Sequence, residues 1–203
     1  VPANATVSCD AIPGAAAVTA SDNCDLAVAV DFSEANSLVD GVGTIVRTWT
    51  AADASGNAAT ASQTLTVEDT VAPVLAGVPA DKTVSCEAIP AAAEVTASDN
   101  CDSAVVIECS EANSVVDGAG TIVRTWTAAD ASGNLAAASQ TITVQDTVAP
   151  VLAGVPADVT VSCDAIPGAA EVTASDNCES AVAVDFNEVN SVVEGCGTIK
   201  RTW

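Results

Sequence analysis

The 203 residues carry 27 acidic side chains against five basic ones and no histidine, a formal charge of −22. Such a balance repels nucleic acid and anionic membrane surfaces and favours cations or basic partners. Without histidine, Ser-His-Asp and Cys-His catalysis is excluded, no glycine-rich phosphate loop follows a strand, and no stretch approaches the roughly 20 continuous apolar residues of a membrane span.

In chain order, the first strand signals are "AVAVDFS" at 27–33, "TIVRTWTA" at 44–51 and "SQTLTVE" at 62–68, rich in β-branched and aromatic residues or alternating in polarity. Turn signals separate them: "IPG" at 12–14, "SDNCD" at 21–25, "EANS" at 34–37, "DGVG" at 40–43 and "ASGN" at 54–57. The same letters then return. Cys9, Cys86 and Cys163 are 77 apart, as are Cys24, Cys101 and Cys178, and Trp49, Trp126 and Trp203. A fixed period of that length marks tandem copies of one unit. The expected boundaries are 1–69 for a first copy lacking its first strand, 70–146 for a complete copy, and 147–203 for a third lacking its last strands. The chain thus reads as a window on a longer array. Seven or so short strands per unit, with no helical period of useful length, predict an all-β fold of tandem immunoglobulin-like sandwiches strung end to end.

Apolar residues make up 49% of the chain, but most are Ala and Val, with three Trp, two Phe and neither Tyr nor Met. Each unit can bury only a thin core, and small domains of that kind need reinforcement. Cysteines are the expected reinforcement. They come in pairs spaced by 15, Cys9 with Cys24, Cys86 with Cys101 and Cys163 with Cys178, with no His or CxxC to suggest zinc. A disulfide closing a loop of that length stabilises by about 3 kcal/mol in the chain-entropy model. Disulfides persist outside the reducing cytosol, which predicts an extracellular protein. Cys109, in the place of Phe32 and Phe186, and Cys196, in the place of Val42 and Ala119, break the period. Cys109 reads as a buried thiol and Cys196 as a residue that has lost its partner; the alternative for both is pairing between units or chains.

The segments "DTVAPVLAGVPADKTVSC", "TASDNCD", "RTWTAADASGN" and "ASQTITVQDT" resemble the hyalin repeat (HYR) and related immunoglobulin-like modules, especially those arrayed in giant surface adhesins of Bacteroidota. The resemblance spans essentially the whole chain. It implies an extracellular sandwich serving as a stalk or adhesive spacer at a bacterial cell surface, with no enzymatic activity and no organic cofactor. Many such repeats carry Cys in the "DASGN" turn; Ser55 and Ser132 stand there in this chain, which leaves Cys196 without an assigned partner. "DTV" and "DSA" also resemble Bacteroidota O-glycan sites, marking Thr70, Ser103 and Thr147, with threonines that merely favour strands as the alternative.

In a sandwich of this type the loop after the second strand and the loop before the last project from the end that receives the preceding linker. Asp69, Asp99, Asn100, Asp102, Asp130 and Asn134 are thereby candidates to converge, as are Asp146, Asp176 and Asn177. Calcium takes six to eight oxygen ligands and is one reading of such clusters. Turn chemistry, in which Asp and Asn bond the local backbone, is the other. Arg47 and Trp49 share a strand face, as do Arg124 and Trp126, and Arg201 and Trp203. Trp is expected in the core, and so few basic residues imply a specific carboxylate or aromatic for each Arg. Two further functions stay open: multivalent recognition of a glycan or protein, and a filament assembled by strand donation between chains. Otherwise the expected partners are neighbouring repeats.

Overall fold

A computed structural model describes residues 1–203. The chain is all-β, its only helical pieces being two three-residue 3-10 turns at Cys9–Ala11 and Cys86–Ala88. The first copy contributes β1 (Ala5–Ser8), β2 (Ala29–Asn36), β3 (Gly43–Ala52) and β4 (Ala58–Glu68). The second contributes β5 (Val74–Ala76), β6 (Lys82–Val84), β7 (Thr96–Ser98), β8 (Val106–Asn113), β9 (Gly120–Ala129) and β10 (Leu135–Val144). The third contributes β11 (Val151–Ala153), β12 (Thr173–Ser175), β13 (Asn187–Asn190) and β14 (Ile199–Thr202).

Sandwich-like sheets recur with the repeat. The first four-stranded sheet has the order β1-β4-β3-β2 and the second β6-β10-β9-β8; β5–β7, β11–β12 and β13–β14 form two-stranded sheets. In the first sheet β1 runs parallel to β4, in register Ala5 with Leu65, and β6 meets β10 in the same way, Lys82 opposite Ile142. By contact density the chain divides into two compact units, Val1–Pro79 with Ala93–Ser110 and Thr125–Ser139, and Ala80–Ala92 with Glu111–Arg124 and Gln140–Trp203.

Alternation along the strands builds each core. On β3, Ile45, Arg47 and Trp49 point inward, and on β4 Gln63, Leu65 and Val67 do so. Ile45, Leu65 and Val67 form one apolar cluster, backed by Val7, Cys9, Ile12 and Leu38. Ile122, Ile142 and Val144 form its counterpart. These clusters are small, as an Ala- and Val-rich sequence dictates. Trp49 and Trp126 are buried, as core residues, and Trp49 lies opposite Phe32 across the β2–β3 ladder with ring centroids 5.4 Å apart.

Each repeated Arg goes to a carboxylate. Arg47 Nε donates to Glu34 (2.8 Å) while its Nη groups donate to the carbonyls of Pro13 (2.7 Å) and Gly14 (3.2 Å). Arg201 repeats the set with Glu188, Pro167 and Gly168. Arg124 reaches Glu111 and Pro90, but its buried Nη1 has no partner; Ala91 stands there where the other copies have Gly14 and Gly168. One side chain thus pins an irregular, unpaired segment of backbone to the sheet.

Three sequence expectations change. "EANS" is not a turn: Glu34–Asn36 end β2, and the reversal comes at Val39–Val42, where Asp40 and Gly41 both take positive φ. Cys109 is exposed rather than buried, on β8 at the edge of its sheet; its counterparts Phe32 and Phe186 are themselves 47% exposed, so the position offers little cover. The cysteines do not pair at a spacing of 15. The bonds are Cys9–Cys101 and Cys86–Cys178, each spanning 92 residues, and Cys24 and Cys163 are free and exposed.

Distance is the reason for the last change. Cys9 lies against the Val39–Val42 turn at one end of β3, and Cys24 adjoins Asp25, whose carboxylate accepts the Ala54 amide at the other end. Ten strand residues separate those turns, roughly 30 Å at the rise of a β-strand. A disulfide needs Cα atoms about 4.4–6.8 Å apart. Both observed bonds have them 5.8 Å apart.

Candidate functional site

Each cystine sits beside a pair of carboxylates. In the "SDNCD" turn after β7, Asp99 Oδ1 accepts the amides of Cys101 (2.8 Å) and Asp102 (3.1 Å), an Asx turn that places the cysteine. Asp69, just past β4 and only 8% exposed, accepts the Val71 amide through Oδ1 (3.1 Å). One carboxylate oxygen of each, with Cys101 Sγ, fall within 4.8 Å of one another. Asp99 Oδ2 is buried and has no hydrogen-bond partner. Asp146, Asp176 and Cys178 reproduce the arrangement: Asp176 Oδ1 holds the Cys178 and Glu179 amides, Asp146 Oδ1 that of Val148, and Asp176 Oδ2 is again buried and unpartnered.

The turn Val39–Val42 closes over the first cystine. A methyl group on Gly41, at φ 77°, would lie 3.2 Å from the Cys101 Cβ and 3.4 Å from that of Cys9. At Gly118 it would overlap the Cys178 Cβ. Glycine is required there for both its backbone and its lack of a side chain.

The other acidic-turn residues do different work. Asn100 turns its amide to the sulfurs of Cys9 and Cys101 (3.4 and 3.1 Å), and Asn177 does the same for Cys86 and Cys178. Asp102 Oδ2 accepts the Ala131 amide, tying the "SDNCD" turn to the turn before β10. Within that second turn Asp130 accepts both the backbone and side-chain amides of Asn134 (2.7 and 2.8 Å), and the Asn134 amide also reaches the Asp69 carbonyl at 3.3 Å. Burial works to raise the Asp130 carboxyl, and the Asn134 hydrogen bonds outweigh it, holding the group below its ordinary value. Asp53, hydrogen-bonded first by the Asn57 side chain, is likewise lowered.

Two clusters could therefore hold a metal ion. Their donors fit a hard cation: a pair of carboxylates with a spare buried oxygen, while the neighbouring sulfur is spent in a disulfide and offers no thiolate. Sequence reasoning named Asp69, Asp99, Asp146 and Asp176 but not the cystine among them. The 77-residue period makes both candidate offsets, 15 and 92, constant along the chain, so spacing alone carried no signal that could choose between them.

A family model described as the HYR-like domain with 4 cysteines matches residues 1–67 and 74–144, more than half of the chain. The chain belongs to the HYR-like domains with four cysteines. It departs from the count in that name, with two cysteines in the first matched segment and three in the second. Among solved structures it is similar to a protocadherin gammaB7 EC3-6 cis-dimer, at 14% identity and a TM-score of 0.34, over 95% of this chain and 59% of that one. No curated protein sequence matches it. No helix is long and apolar enough to cross a membrane. A disulfide-stabilised HYR-like repeat is consistent with an extracellular location. In its acidic clusters one oxygen of each carboxylate is engaged by backbone amides and the sulfur is spent in a disulfide, which is consistent with a structural role.

Proposed function

We propose that this HYR-like chain is a stretch of stalk in an extracellular bacterial surface adhesin, with modules at 1–69, 70–146 and 147–203, and that its task is reach and stiffness. The supporting observation is the cystine bridging consecutive 77-residue copies, present twice with the same neighbours. An enzyme or a single binding site has no use for that repetition. A spacer has, because it removes freedom of movement between copies. Calcium at Asp69 with Asp99 and at Asp146 with Asp176 would add to the stiffening, drawing its remaining ligands from water and backbone carbonyls. Thr70, Ser103 and Thr147 are exposed and are the proposed positions of O-linked sugar. Strand donation finds less support, since β1 and β6 already pair with the last strands β4 and β10 of their own copies.

Calorimetric titration of calcium into chelator-treated chain tests the cation. Two sites are expected, with Asp99→Asn and Asp176→Asn each abolishing one. Heats no larger than those of the double variant would remove calcium from this reading and leave the cystines.

A further inference from the structure

The two cystines overlap along the chain, since Cys86 comes before Cys101. We infer that they form a continuous covalent force path that bypasses the long strands of both four-stranded sheets, so that the cystines rather than the folded cores limit extension. Tension entering at Cys9 crosses to Cys101, runs backwards along the peptide to Cys86, and crosses again to Cys178. Only 15 peptide steps lie on that path, against 169 along the backbone between Cys9 and Cys178. Fully extended, the shortcut measures about 65 Å and the backbone it spans about 600 Å. Sheet β6-β10-β9-β8 falls within the closed loops and can unfold without lengthening the molecule, whereas β7 lies on the short path itself. Bonds within each copy would behave otherwise: three separate loops of 15 would leave most of the backbone extensible.

The segment that carries tension is "CEAIPAAAEVTASDNC" at 86–101, which holds the 3-10 turn Cys86–Ala88, the Pro90 carbonyl gripped by Arg124, and β7. Its residues are held by the ion-paired Arg124 at Pro90 and by the pairing of β7 with β5. Cys24 and Cys163 occupy the same two roles as Cys101 and Cys9, one copy earlier and two copies later, and would extend the path to a further copy of the repeat.

This inference deepens the stalk reading, yet its test reads connectivity alone and does not depend on where the protein resides. The full chain, with only Cys109 and Cys196 changed to Ser so that Cys24 and Cys163 remain free to compete for partners, is stretched between its termini in a single-molecule force instrument. The expected maximum extension is about 180 Å when oxidised, rising about fourfold to about 730 Å after dithiothreitol. About 580 Å would show bonds within copies instead, and about 400 Å a single cystine; either overturns the proposal. Failure of calcium binding, by contrast, would leave this result untouched.

Discussion

Arg47 shows how a chain with five basic residues uses them. It lies 4% exposed between Ile45 and Trp49, a charge on the core face of β3, and is tolerated there because a carboxylate and two carbonyls satisfy it. Replacing it with Ala removes the donor that holds Glu34 and the Pro13 and Gly14 carbonyls, a loss of about 1–2 kcal/mol because those exposed acceptors can turn to water. Thermal unfolding of Arg47→Ala should therefore fall clearly, while Ala91→Gly, which lets the Pro90–Ala91 segment match its counterparts around the unpartnered Arg124 Nη1, should not lower it. An unchanged midpoint for Arg47→Ala would mean the segment is held by something else. That each Arg needs a specific partner, a carboxylate or an aromatic ring, was legible in the sequence; that the partner is a carboxylate comes from the structure. The two carbonyls were not legible, since they lie 33 and 34 residues away on backbone with no strand pattern.

Among the elements, the four-residue turns separate two demands on glycine. Gly118 and Gly133 both have positive φ, 73° and 89°, but a methyl at Gly118 meets Cys178 whereas one at Gly133 meets nothing within 4 Å. Gly133→Ala should cost about 1 kcal/mol from backbone strain alone. Gly118→Ala should cost about 2–3 kcal/mol, adding displacement of the cystine to that strain, and the difference is readable as a gap between the two denaturation midpoints. Equal midpoints would place the turn away from the disulfide. Strands β3 and β4 were legible from β-branched runs and alternation, to within a few residues. The end of β2 was not, because "EANS" has turn composition while its register opposite Ile45–Arg47 keeps it extended. Tertiary pairing overrides local propensity there.

For the whole molecule, the period of 77 made the repeat architecture readable without coordinates, and of the candidate acids Asp69 lies close to Asp99 and Asp146 to Asp176. The disulfide connectivity was misread because proximity along the chain, 15 residues, hides a displacement of about 30 Å along a strand. Each observed bond closes a loop of 92 residues and stabilises by about 4–5 kcal/mol in the chain-entropy model, more than the loop of 15 would. Overlap of the loops makes the two contributions less than additive.

Connectivity is also the most direct measurement. Trypsin cuts after Arg47, Lys82, Arg124 and Lys200, so Cys9 and Cys24 share the peptide 1–47, Cys86 and Cys101 share 83–124, and Cys163 and Cys178 share 125–200. Digestion of the unreduced, alkylated chain should yield those three peptides as one disulfide-linked species in mass spectrometry, separating only on reduction. Recovery of the three peptides unlinked, each with its cystine internal, would contradict the account.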